Sequence, residues 1–146
     1  MKICIVSDSH DRAEPLAAAV AKAQAAGAQA VIHCGDLIGA NTLRASIKLG
    51  VPLHVVHGNN LGDQIAMHRL MAKSGRSLIY HGQDAEMELG GRRIFATHFP
   101  TMAGAWLVPG ITTWFAAVTA MSLRSSANQI SKAGRLCWST RVRFPA

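Results

Sequence analysis

No acidic residue follows Glu88, and no histidine follows His98, in this chain of 146 residues. All eight acids and eight of the fifteen Lys and Arg residues lie in positions 1–88, which are therefore neutral (8 − 8 = 0). The remaining seven bases supply the whole net charge of +7. A basic tail can attract nucleic acid or anionic lipid by charge alone. These bases are scattered and carry no aromatic platform motif, so neither partner is called for. Cysteine is scarce as well. Cys4, Cys34 and Cys137 are odd in number and show no CxxC spacing, which argues against a disulfide framework and for free thiols in a reducing cytoplasm. The apolar run after Lys2 is too short for the core of a signal peptide. No glycine-rich phosphate loop follows that run, since Ser7–Asp8–Ser9–His10–Asp11–Arg12 stands there instead, and a nucleotide-binding module of that kind is disfavoured.

What is present suits one globular domain with a real core, at 49% hydrophobic and 16% charged residues. The first hundred residues alternate between strand and helix signals. Lys2–Ser7 is rich in Ile and Val and reads as a strand. Ala13–Gly27 is Ala-rich, with Pro15 near its first turn and Gly27 as a stop, and reads as a helix. Strands are then expected at Gln29–Cys34 and Leu53–His57. Helices are expected at Asn41–Gly50, with Asn41 as N-cap, and from Asp63 to Gly75, with Asp63 as N-cap and Ile65, Met67, Leu70 and Met71 on one apolar side. Shorter strands follow at Ser77–His81, Glu86–Leu89 and Arg93–His98, the last two joined by a Gly90–Gly91 hairpin turn. Strand–helix alternation predicts an α/β sandwich with parallel strands. The carboxyl ends of such strands share one edge, where ligands bind.

Polar residues gather at those ends. Asp8 and His10 follow the first strand, Asp36 the second, Asn59 the third, and His98 the last. Strand-to-helix turns favour Asp and Asn on their own account, but turn chemistry does not explain three successive strand ends with a His two residues after the first Asp. Two carboxylates, two imidazoles and an amide oxygen form a mixed N/O ligand set. That set suits Mn²⁺, Fe or catalytic Zn²⁺ better than a structural zinc site. Two cations bridged by a carboxylate clamp a phosphate ester for hydrolysis. His33, His54, His57, His68 and His81 match no such pattern and read as packing or solvent-facing residues.

The motifs D-x-H at Asp8–His10, G-D at Gly35–Asp36, G-N at Gly58–Asn59 and T-H at Thr97–His98 resemble those of the calcineurin-like metallophosphoesterases. The resemblance is to their small single-domain bacterial and archaeal branch and runs over residues 1–98. It implies a metallophosphoesterase-type α/β sandwich. It also implies hydrolysis of a phosphodiester or phosphomonoester by a metal-activated hydroxide at a two-metal site. Asp8 and His10 would hold the first metal, Asp36 would bridge, and Asn59 and His98 would hold the second. The cofactors implied are two divalent ions, Mn²⁺ first, with Fe, Zn²⁺ or Ni²⁺ as alternatives. Asn60 stands where many relatives carry a His that protonates the leaving group; it can donate a hydrogen bond to phosphate but cannot act as a general acid. A phosphate-ester substrate is the expected partner, with a second copy of the chain left open.

The family's late G-H-x-H motif is missing, because His98 is the last histidine. Impaired activity is therefore expected. A non-catalytic scaffold that uses the same sandwich to bind a protein partner is the alternative. Residues 99–146 form a divergent, basic, Trp-containing tail after a core at 1–98. Acids and histidines vanish and Trp, Ser and Arg rise where the family pattern should continue, as a shifted reading frame would produce. Residues 99–123 contain no charge and are long enough to cross a membrane, although Pro109, Gly110 and four threonines oppose that reading.

Overall fold

A computed structural model describes residues 1–99, 101–102 and 113–117 of the chain. The elements run β1 (Lys2–Val6), α1 (Ala13–Ala25), β2 (Ala28–Cys34), a 3₁₀ turn (Ala40–Leu43), α2 (Arg44–Ile47), β3 (Leu53–Val56), α3 (Gln64–Ser74), β4 (Leu78–Gly82), β5 (Asp84–Leu89), β6 (Arg92–Thr97) and β7 (Thr113–Ala117). Strands β1, β2, β3 and β4 lie side by side in that order, all parallel. A second sheet is ordered β5-β6-β7, with β5 and β6 antiparallel and β6 and β7 parallel.

The sequence alternation produces three layers. Leu16, Val20 and Ala23 of α1 and Met67 and Leu70 of α3 pack with Cys4, Val6, Val31, Leu53, Val55, Leu78 and Tyr80 on one face of the first sheet. The opposite face offers Ile32, Cys34 and Val56, which meet Ala85, Ile94 and Ala96 of the second sheet. β2 is covered on both sides, and Ala30 through Cys34 are buried without interruption. That burial explains why Ala30 through Cys34 show no regular polar alternation, His33 being the one ionisable residue among them. Each fully buried Val, Leu or Ile contributes roughly 1.5–3 kcal/mol, so this strand anchors both layers.

Three local expectations need correction. Helix α2 spans only Arg44–Ile47 and is preceded by a 3₁₀ turn. Asn41 is not an N-cap, for its Oδ1 accepts instead from Arg44 Nε at 2.7 Å. Ile65 lies on the outer side of α3 and is 66% exposed, while Met67 and Leu70 are buried. Asp63 does cap α3, accepting from the Ala66 amide at 2.9 Å. Gly90 and Gly91 both take positive φ (61° and 70°), as a two-residue hairpin turn of the I′ kind requires.

β7 pairs with β6 across Thr113–Ala117, inside the uncharged stretch, so that stretch is not one membrane-crossing helix. Among the described residues no helix is long and apolar enough to cross a membrane. Cys4 and Cys34 are buried and form no disulfide among the described residues, and Cys137 lies outside the described residues.

Candidate metal centre

Four strands deliver the site. β1, β2 and β3 end at one edge of the parallel sheet, and β6 brings His98 to the same edge from the second sheet. Buried Asp36 and His98 form the floor, while His10, Asn59 and Asn60 are exposed around them. The centre therefore has a dry base and an open mouth.

The turn after β1 is unusual. Asp8 (φ 55°) and His10 (φ 47°) both adopt the left-handed conformation, as does Asp36 (φ 56°). Each costs roughly 1–2 kcal/mol for a residue with a Cβ, and such strain persists only where surrounding structure enforces it. Here the enforcement is visible. The Asp8 amide donates to Gly35 O at 3.0 Å and the His10 amide to Asp36 O at 2.9 Å. Ser7 Oγ also hydrogen-bonds Asp8 Oδ2.

Glycine makes the close approach possible. A Cβ on Gly58 would lie 2.2 Å from Asp36 Oδ1 and 2.9 Å from His98 Cδ2. A Cβ on Gly35 would lie 2.7 Å from His98 Nδ1 and 2.8 Å from the Gly58 amide nitrogen. The G-D and G-N motifs thus touch through their missing side chains.

Ligand atoms of Asp8, His10 and Asp36 all lie within 4.8 Å of one another. On the other side of Asp36, His98 Nε2 stands 3.0 Å from Asn59 Oδ1 and 3.5 Å from Asp36 Oδ1. His98 Nδ1 lies 2.8 Å from Cys34 O. A carbonyl only accepts, so Nδ1 carries the proton, and in the neutral ring Nε2 is a lone pair. With Asn59 Oδ1 turned to the ring, His98 Nε2, Asn59 Oδ1 and Asp36 Oδ1 face one another as acceptors. A cation set among them would satisfy all three. The donor set, all oxygen and imidazole nitrogen, fits a hard or borderline divalent metal. Cys34 takes no part as a thiolate, because burial, with Asp8 adding to it, pushes its thiol up to about 12.

The five residues expected to hold metal thus come together around Asp36 as two groups, Asp8–His10–Asp36 and Asp36–Asn59–His98. Asn60 is also there, but its two N–H donors are turned toward Asp36. Its backbone amide donates to Asp36 Oδ1 at 3.0 Å and its side-chain Nδ2 to Asp36 Oδ2 at 2.7 Å. Of the histidines read as packing, His54 and His81 pair at 3.1 Å, and His57 meets the Tyr80 hydroxyl at 3.0 Å. His33 is different. It is fully buried beneath the site and bonds Ser9 Oγ at 2.8 Å. Its only sequence signal was an ionisable ring inside an apolar run, and Ser9 gave none.

Burial, helped by His98 and opposed by Asp36, lowers His33 to about 4. The unfolded chain takes up this proton near pH 6.5, whereas the folded chain holds it off until about pH 4. Stability is therefore full above pH 6.5 and falls as pH drops through that window. The expected loss is roughly 2–3 kcal/mol from this ring, and the lowered His54, His57 and His81 act in the same direction. Urea unfolding of metal-free protein at pH 7.5 and 4.5 should show wild type losing more stability than His33→Phe. Equal losses would mean the ring is not held neutral.

A family model described as the calcineurin-like phosphoesterase superfamily domain matches residues 1–128. Among solved structures, an archaeal phosphodiesterase is similar in fold, with a TM-score of 0.65 and 19% identity. That similarity covers 80% of this chain and 84% of the other. No curated protein gives a significant match.

Proposed function

The chain belongs to the calcineurin-like phosphoesterase superfamily, and on that premise we propose that it is a metal-dependent phosphoesterase that holds two divalent cations around Asp36. The convergence of two donor groups on that one carboxylate carries the reading. Asp8 and His10 would complete one position, and Asn59 and His98 the other. Bound there, divalent cations supply a water activated near neutral pH and a Lewis-acid clamp on the phosphoryl oxygens.

The chain's own residues have separable tasks. Cys34 O orients the His98 ring by accepting its Nδ1 proton, which is how ligating imidazoles are generally aimed. Asn60 ties down both oxygens of Asp36. This leaves Asn60 a hydrogen-bond donor and no source of protons for a leaving group. The exposed His10, Asn59 and Asn60 line the side from which a phosphate ester arrives, and buried Asp36 and His98 keep water from the floor. Mn²⁺ is the first cation to try on this donor set.

Turnover is expected to be weak, because the sequence lacks the late Gly-His-x-His ligands. The test is to strip the chain with a chelator, add Mn²⁺, and follow both calorimetric stoichiometry and hydrolysis of a bis-aryl phosphate. About two ions per chain with chelator-sensitive turnover is the expected result. Binding of no ion would sink the reading and favour a non-catalytic scaffold on this fold. The compositional break after His98 we read as a change of reading frame. Translating the coding DNA from about codon 90 in all three frames should then reveal Gly-His-x-His.

A further inference from the structure

One buried side-chain bond beneath the centre involves none of the expected ligands. Ser9 and His33 are each 0% exposed, and Ser9 Oγ lies 2.8 Å from His33 Nε2. Ser9 is the middle residue of the turn, flanked by Asp8 and His10, both in the left-handed conformation. His33 lies on β2 in register with Val6, the last residue of β1, so its ring reaches the turn from the neighbouring strand.

The ring pays poorly for its burial by local contacts. Among the described residues its Nδ1 has no hydrogen-bond partner, and leaving a buried polar atom unsatisfied is destabilising. An apolar ring would avoid that penalty. Local rules are broken in this way mainly at functional sites. The penalty makes sense if the single bond that the ring does make serves the site.

We infer that His33 is a positioning residue, pinning Ser9 through its side chain so that Asp8 and His10 stay locked in the strained geometry that aims them at the first cation. The end of β2 and the loop after it then hold this half of the site by three links in four residues: the His33 ring to Ser9, Gly35 O to the Asp8 amide, and Asp36 O to the His10 amide. The carbonyl of Ser9 accepts from the Arg12 amide at 2.9 Å within the turn, but of the links across to β2 and the loop after it, only the His33 bond reaches Ser9 itself. Its relevance to metal rests on the proposed function, but the pinning itself does not.

Two measurements on the full chain separate those claims. The first is amide hydrogen exchange in metal-free protein. Ser9→Ala and His33→Phe should each speed exchange at the Asp8 and His10 amides tenfold or more. The His57 amide, bonded to Gly82 O at 2.7 Å, should be unchanged. His33→Gln, which returns a nitrogen near the Nε2 position, should restore much of the protection. A merely structural role would loosen β3 as well, or would give no rescue by Gln. Unchanged exchange at Asp8 and His10 in Ser9→Ala, the variant least able to disturb folding, overturns the proposal.

The second is Mn²⁺ affinity. Both variants should weaken binding by about 10–100-fold, as is usual when a partner behind a ligand is removed. The double variant Ser9→Ala/His33→Phe should be no worse than either single one, because both delete one bond. Multiplying losses would mean two separate effects and overturn the inference. If wild-type protein binds no Mn²⁺, the proposed function fails and hydrogen exchange alone decides the pinning.

Discussion

Asp36→Asn is expected to lower Mn²⁺-dependent phosphoesterase turnover by about 10³-fold or more, with little change in stability. The carboxylate is the only group shared by the two donor clusters, so one neutralised side chain weakens both. A cation contributes several kcal/mol to stabilising phosphoryl charge, and each 1.4 kcal/mol is about tenfold in rate. The fold should tolerate the change, because Asn has the same shape and can still accept from one Asn60 donor. Neutralising Asp36 also removes repulsion from nearby Asp8 in metal-free protein. Unfolding free energy in chelator should therefore stay within about 1 kcal/mol of wild type. A variant that retains activity within tenfold would show that Asp36 is not the bridge.

Gly35→Ala is expected to do the reverse, damaging the fold before the chemistry. Gly35 has φ 96°, and a Cβ there would meet His98 Nδ1 at 2.7 Å and the Gly58 N and Cα at 2.8 and 2.9 Å. Two of those three atoms are backbone and cannot rotate away. Left-handed strain of roughly 1–2 kcal/mol adds to overpacking of roughly 1–3 kcal/mol, giving about 3 kcal/mol in all. For a chain of this size the melting temperature should drop by roughly 10 °C. Gly58→Ala makes a useful contrast. Its nearest clash is the Asp36 carboxylate oxygen at 2.2 Å, so metal affinity should suffer there at least as much as stability. A Gly35→Ala protein melting within about 2 °C of wild type would show that the two loops can part at little cost.

The sequence exposed those features whose physics is local. β2 announced itself by a mostly apolar run broken by His33, since burial on both faces removes the need for alternation. The Gly90–Gly91 turn was legible because two positive φ angles in succession suit few other residues. Asp63 was legible as a cap because its side chain bonds a backbone amide three residues on. The ligand candidates stood out as polar residues at strand ends.

Other features depend on which element lies opposite. Asn41 offers the same capping chemistry as Asp63, yet Arg44 claims its oxygen. Ile65 matches the helical period, but among the described residues no layer covers that face of α3. Asn60 was expected to reach toward phosphate, and only the fold shows that its amide is already committed to Asp36. The bond between Ser9 and His33 joins residues 24 apart in the chain, and nothing in the sequence links them.

His98 rises from the second sheet and hangs its Nδ1 proton on a carbonyl of the first, so the centre lies across a seam. Its geometry survives only while the two layers stay shut. A small parting there, long before the chain loses its strands, would take the site apart while the circular dichroism stayed the same. Divalent cations seated across that seam would work as a latch. They would raise the free energy of this first opening in proportion to the logarithm of their concentration. Inactivation and unfolding would then be two events with separate thresholds, and the gap between them would narrow as metal is added.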